Sequence, residues 1–235
     1  MRHEYYAYNK EQLLSAPKIP MEVLEDKPAV FQLIAREMAD EIKAHNDAGK
    51  TTVFICPVGP IGQYPYFVEI VNRERISLKN CWFINMDEYL GEDMQWIPMD
   101  HPLSFRGFMQ RTVYSQIDPE LNVPEDHRVF PDPNNVAYIP QLIEKLGGVD
   151  VCFGGIGING HLAFNEADPT DVYKRQRIQN RVMDQVLKTV SPGGAAIRSG
   201  MVRRSSSTPS RPGRADQGSM HKSGASEWAG CQKPT

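Results

Sequence analysis

No stretch of this sequence approaches the roughly 18 consecutive apolar residues that a membrane-crossing helix needs. The amino terminus, MRHEYYAYNKEQ, lacks the continuous apolar core of a secretion signal. Cysteine is scarce, with four among 235 residues. Cys56, Cys81 and Cys152 fall in or beside strand-like runs and Cys231 stands alone, so there is neither a CxxC pair nor a metal-ligand spacing. There is no internal repeat. These absences argue for a reduced, cytoplasmic chain with no membrane association. What is present, 40% hydrophobic and 23% charged residues, is the composition of an ordinary globular protein, and the length admits one large domain or two small ones.

The net charge of −3 conceals two unlike segments. Residues 1–170 hold 14 Lys and Arg against 25 Asp and Glu, a balance of −11, whereas residues 171–235 hold 12 against 4, a balance of +8. A basic tail can serve as a nucleic-acid arm, but nucleic acid is not the favoured partner here. The last 45 residues contain 9 Ser, 7 Gly and 4 Pro with few apolar side chains, so residues 191–235 are expected to be disordered, because burial there cannot offset the ordering entropy. Between them, Ile178, Val182, Met183, Val186, Leu187 and Val190 are spaced for one helix face over about 171–190.

Residues 1–170 read as a single α/β domain. Asp26, Lys27 and Pro28 look like a helix start, and Val30, Phe31, Ile34, Met38 and Ile42 recur at helical spacing until Gly49. The run 51–56 is a buried strand that ends in a turn rich in Pro and Gly. A helix is expected over 65–73, and a second strand over 81–86 delivers Asp87 and Glu88 at its end. Ser104 is an N-cap for a helix whose inner side carries Phe105, Phe108, Met109 and Val113, ending near Ile117. Residues 118–133 are irregular, and Asn134 or Asn135 caps a helix carrying Val136, Ile139, Leu142, Ile143 and Leu146, stopped by Gly147 and Gly148. A third strand over 149–153 opens into a turn with Gly154, Gly155, Gly157 and Gly160, followed by His161 and Glu166. Strands alternating with helices predict a Rossmann-like, doubly wound, mainly parallel sheet with flanking helices, its ligand at the carboxyl ends of the strands.

Three motifs lie at that edge: NMDEYL (85–90), HPLSFRGFM (101–109) and GGIGINGHLAFNE (154–166). In this order and at these separations they resemble the glucosamine-6-phosphate deaminase/isomerase family over about residues 51–166. The resemblance implies conversion of glucosamine 6-phosphate to fructose 6-phosphate with release of ammonia, without an organic cofactor or catalytic metal. It implies Asp87 as the proton-transferring base and His161 with Glu166 as the ring-opening group. The residue types suit those tasks. A histidine, with an ordinary pKa of about 6.5, can accept and donate near neutrality, and a carboxylate at a strand end can shuttle a proton between neighbouring carbons. Gly59, Gly62, Glu88, Asn159 and Gly160 are the expected substrate-binding positions. His101, before Pro102, is expected to be structural.

The sequence departs from the family in three places. The familiar members carry Thr-Gly-Gly-Thr where Val58, Gly59, Pro60 and Ile61 stand, and Pro60 removes a donor from the anion-binding turn. They carry Asp two residues before the motif histidine, where this chain has Asn159, an amide that cannot take a proton. After about 168–173 the resemblance stops, as expected of a truncated, frameshifted or chimeric reading frame with incomplete catalytic machinery. Such a sheet would lack its later strands and present an open apolar edge, which predicts self-association; a homo-oligomer is left open. The related 6-phosphogluconolactonases share the fold, so a lactonase-type hydrolase with His161 activating water is the alternative enzyme, and a non-catalytic sugar-phosphate-binding chain the alternative outside enzymes.

Overall fold

The run Thr52–Cys56 (β1) is buried at all five positions, the pattern of a strand covered on both faces. Cys81–Asn85 (β2) lies parallel to it, from Thr52 against Cys81 to Cys56 against Asn85. Arg128–Val129 (β3) adds to the far side of β2, and Val151–Phe153 (β4) pairs with β1, both parallel. The computed structural model describes residues 7–15, 21–135, 137–156, 195–198 and 201–204. Within them Ala195–Arg198 (β5) and Met201–Arg204 (β6) complete a six-stranded sheet of order β3-β2-β1-β4-β6-β5, with β6 antiparallel to both neighbours. The doubly wound, mainly parallel sheet is therefore as the alternation of elements predicts.

Three differences have physical reasons. The two residues of β3 are too few to carry a period of two, so the segment 118–133 reads as irregular in sequence although it supplies a strand. The edge of β4 is not open, because Val151, Cys152 and Phe153 face Arg203, Val202 and Met201 across an antiparallel ladder. That ladder corrects the expected bare edge. Both β5 and β6 also fall within 191–235, where bulk composition alone predicts disorder. The eight positions AAIR and MVRR are a local run separated in sequence by two residues, Ser199 and Gly200, the spacing of a tight hairpin, which a 45-residue average hides. The helix expected over 171–190 lies outside the described residues.

Helices cover both faces. After a short helix, Lys10–Ser15 (α1), the chain enters Lys27–Asp47 (α2), where the Asp26 side chain accepts from the Ala29 N–H at 2.8 Å and a proline sits in the first turn. Gly49, at φ +63°, stops it. Gln63–Glu74 (α3) begins before Pro65 because proline is tolerated in a first turn, where its missing N–H has no partner in any case. The inner faces of α2 and α3, including Met38, Ile42, Phe67 and Val71, pack on Phe54, Phe83 and Phe153. Phe54 is the centre of that layer, 5.9 Å from the Phe83 ring and 5.1 Å edge-on from Phe153. Phe105–Met109 (α4) continues into a π-helical turn, Gln110–Tyr114, which sends Met109 and Val113 into the same layer. On the other face Tyr138–Lys145 (α5) sets Ile139 and Ile143 against Val53, Ile55, Ile84 and Cys152. This helix starts after Asn135, whose side chain instead closes a turn by accepting from the Asp132 N–H at 2.8 Å and donating to the Phe130 carbonyl at 2.7 Å.

Burial pushes the Cys56 thiol well up, and the Cys81 and Cys152 thiols up to about 12, so these three are protonated packing residues. No helix among the described residues is long and apolar enough to cross a membrane.

One glycine decides how the loop after β2 seats on α4. A Cβ placed on Gly107 would lie 1.8 Å from the Met99 carbonyl oxygen, a backbone atom that moves only with its whole loop. Gly107→Ala is therefore expected to destabilise the fold by about 1–3 kcal/mol, read as a lower urea midpoint with an unchanged slope.

Candidate functional site

The carboxyl ends of β1, β2 and β4 converge, as sheet topology requires of parallel neighbours. The Met86 N–H donates to the Cys56 carbonyl at 2.9 Å, carrying the ladder one step past β2. A Cβ on Gly155 would stand 2.9 Å from Pro60 Cδ and 3.3 Å from the Gly59 oxygen. The turn after β4 therefore touches the turn after β1, and no larger residue fits at 155 without displacing a stiff ring.

Asp87 leaves the end of β2 with only 6% of its surface exposed. Burial, with a second contribution from the neighbouring Glu88 charge, raises its carboxyl to about 7. Such a group exchanges a proton at neutral pH, which an ordinary surface aspartate does not.

Glu88 is placed differently from the substrate contact expected of it. Its Oε1 accepts from the N–H groups of Tyr89 at 2.8 Å and Phe105 at 2.9 Å, and its Oε2 from the Arg106 N–H at 2.7 Å and the Ser104 hydroxyl at 3.3 Å. The Arg106 guanidinium stands 3.4 Å away, stacks over Trp96 at 4.2 Å and donates to the Ile97 carbonyl at 2.8 Å. Ser104 accepts in turn from the Gly107 N–H at 3.1 Å, as its N-cap role predicts. The carboxylate of Glu88 thus ties the start of α4 and the loop 89–104 to the end of β2, and its negative charge faces Asp87. Arg106 is the residue that sequence reasoning did not single out. It lies inside HPLSFRGFM, yet nothing local signals a partner 18 positions earlier.

Gly59 and Gly62 flank the turn after β1. Gly59 has φ +133°, a region that favours glycine. Gly62 is held by packing, since a Cβ there would meet the Phe31 ring at 2.2 Å. α3 opens with no side-chain cap, so its positive end faces the turn, although Pro60 and Pro65 contribute no N–H. A cavity of about 480 Å³ lies between this turn, Leu103–Phe105 and Phe31, with Lys27 at its wall. Asp87 does not line it. The exposed His101 accepts from the Leu103 N–H at 3.2 Å, a turn-closing contact in keeping with a structural role. Among the described residues no group of three or more His, Cys, Asp or Glu side chains is gathered to hold a metal ion. Asn159, Gly160, His161 and Glu166 lie outside the described residues.

The parallel sheet with helices on both faces, a buried carboxylate and a glycine-bearing turn at its carboxyl edge are those of a Rossmann-like α/β protein. No protein-family model matches the chain. It is 32% identical to the glucosamine-6-phosphate deaminase of Phocaeicola vulgatus over 168 residues, 69% of this chain and 61% of that protein. It is 36% identical to the glucosamine-6-phosphate deaminase of Bacteroides fragilis over 147 residues, 60% of this chain and 52% of that protein. Among solved structures it overlays a monomeric glucosamine-6-phosphate deaminase, described as a missing link of the NagB superfamily, with a TM-score of 0.53 and 26% identity, covering 66% of this chain and 62% of that one. Over these spans the chain is similar to the glucosamine-6-phosphate deaminases. It covers between half and two thirds of the length of the relatives named here.

Proposed function

We propose that this chain carries the proton-transfer site of a phosphosugar aldose-ketose isomerase/deaminase. The reaction is glucosamine 6-phosphate plus water giving fructose 6-phosphate plus ammonia. Asp87 moves the proton between C2 and C1 of the open-chain sugar, and His161 with Glu166 opens the ring. Asn159 and Gly160 hold sugar hydroxyls, while Gly59, Gly62 and the start of α3 receive the phosphate. Glu88 serves as the anchor of the loop 89–104 rather than as a substrate contact.

The observation that carries this reading is the buried Asp87 carboxyl, raised to about 7 at the end of a central parallel strand. A base that must take a carbon-bound proton and give it back works best with its pKa near the operating pH. A lactonase-type hydrolase, in which His161 activates water, has no need of that carboxylate. The matches to deaminases at 32% and 36% identity support the same choice.

The test is ammonia release and ketose phosphate formation from glucosamine 6-phosphate by the purified full chain between pH 5 and 9. The expected result is a kcat/KM that falls about tenfold per pH unit below an inflection near 7. Binding of glucosamine 6-phosphate without turnover would replace this reading with that of a sugar-phosphate-binding protein, and hydrolysis of 6-phosphogluconolactone in its place would establish the lactonase.

A further inference from the structure

Asn85 ends β2 fully buried, and neither its amide oxygen nor its amide nitrogen has a hydrogen-bond partner among the described residues. A buried amide left unpaired destabilises a fold, and an apolar side chain of similar size would remove that burden. Side chains alternate along a strand, so Asn85 shares the α2/α3 face with Cys81 and Phe83, opposite Cys56 on β1. Tyr64 and Tyr114 are buried in the same layer. The Tyr64 hydroxyl donates to the Pro57 carbonyl at 2.5 Å, whereas the Tyr114 hydroxyl and Gln63 Oε1 have no partner among the described residues. The Asp87 charge acts on Tyr64, so that carboxylate is within electrostatic reach of the same polar layer. Asp87 follows Asn85 by two residues, roughly 6.6 Å along an extended chain, and since the Asn85 amide meets no protein partner directly among the described residues, one water is the link that spans the gap.

We propose that Asn85 is a positioning residue for Asp87, its free amide N–H donating to a bridging water that in turn donates to the ionised carboxylate and holds it in the orientation that proton transfer needs. The inference rests on the reading of Asp87 as the base. A donor aimed at the carboxylate favours its charged form, so Asn85 restrains the upward push that burial exerts on Asp87.

The deciding experiment is an NMR titration of the Asp87 side-chain carboxyl in the full chain, with kcat and KM against pH measured alongside. Asn85→Leu is expected to raise the Asp87 pKa by about half to one unit, to lower kcat about three- to tenfold with KM unchanged, and to raise the melting temperature. Asn85→Thr keeps a donor on a strand-compatible side chain and is expected to bring the titration back toward the wild-type value. An Asp87 titration that does not move in Asn85→Leu overturns the proposal, whatever happens to stability. Should the leucine variant fail to fold, Asn85→Ala supplies the same comparison. Turnover surviving in Asp87→Asn would instead defeat the reading of the base, and the titration would still decide whether Asn85 and Asp87 are coupled.

Discussion

Asp87→Asn is expected to reduce deaminase turnover by about 10²–10⁴-fold and, at pH 8, to make the protein more resistant to heat than the wild type. The two effects share one cause. In the folded chain the Asp87 carboxyl keeps its proton up to about pH 7, whereas the unfolded chain releases it near the ordinary aspartate value of about 4. Between those limits the native state binds more protons than the unfolded state, so stability falls as pH rises through the window and the whole penalty stands above it. Asparagine cannot ionise and escapes the penalty, which is at most about 4 kcal/mol for a shift of this size. Melting temperatures of the two proteins at pH 8 and pH 4 check this. The variant should gain at pH 8 and show no gain at pH 4, and equal melting temperatures at pH 8 would mean that Asp87 is not a strained buried acid. Perturbed carboxyls of this kind cluster at functional sites, which is what the proposed role of Asp87 as the base requires.

Glu88→Ala is expected to be the most destabilising single change at this edge, by about 3–5 kcal/mol. It removes the acceptor of three backbone N–H groups and one hydroxyl, and it leaves the guanidinium of Arg106 without its carboxylate partner. Glu88→Gln keeps the shape but not the charge. It should be destabilised less, and its Asp87 carboxyl should titrate below the wild-type value, because the Glu88 charge is one of the two influences that raise it. The acidic limb of the pH profile then moves toward lower pH. Urea midpoints for both variants, with the Asp87 titration for the glutamine variant, measure these effects. A Glu88→Ala protein within about 1 kcal/mol of wild type would show that the loop 89–104 is held by its other contacts, such as the Trp96 indole N–H donating to the Pro131 carbonyl at 2.9 Å.

The two glutamate variants also separate two roles that neighbouring acids in one short motif could share. Asp87 and Glu88 are adjacent in NMDEYL, and a reading by residue type assigns both to the substrate. Their environments differ: one carboxylate is almost fully buried beside its neighbour's charge, and the other is saturated by donors from a segment 16–18 positions later. On the proposed reading, turnover therefore depends on seating α4 correctly, which links the Gly107 packing contact to Asp87 through Ser104 and Glu88.

The residues alone determined the class of fold. The buried run of β1, the Asp26 cap and helical spacing of α2, and the strand-turn sequence around Asp87 are local patterns, set by burial period, capping and turn chemistry within a few positions. The positions of Asp87, Gly59 and the glycine turn after β4 at one edge follow from those patterns plus the rule that parallel strands share a direction. What tertiary structure decided lies at long separation. Only packing makes β3 a strand, since its two residues have no period of their own until β2 offers a ladder. Only the return of the 104–106 segment brings to Glu88 the donors that surround its carboxylate. Only burial in the folded chain, added to the adjacent Glu88 charge, raises Asp87 to about 7, because desolvation depends on every neighbour in space, and a sequence records neighbours along the chain.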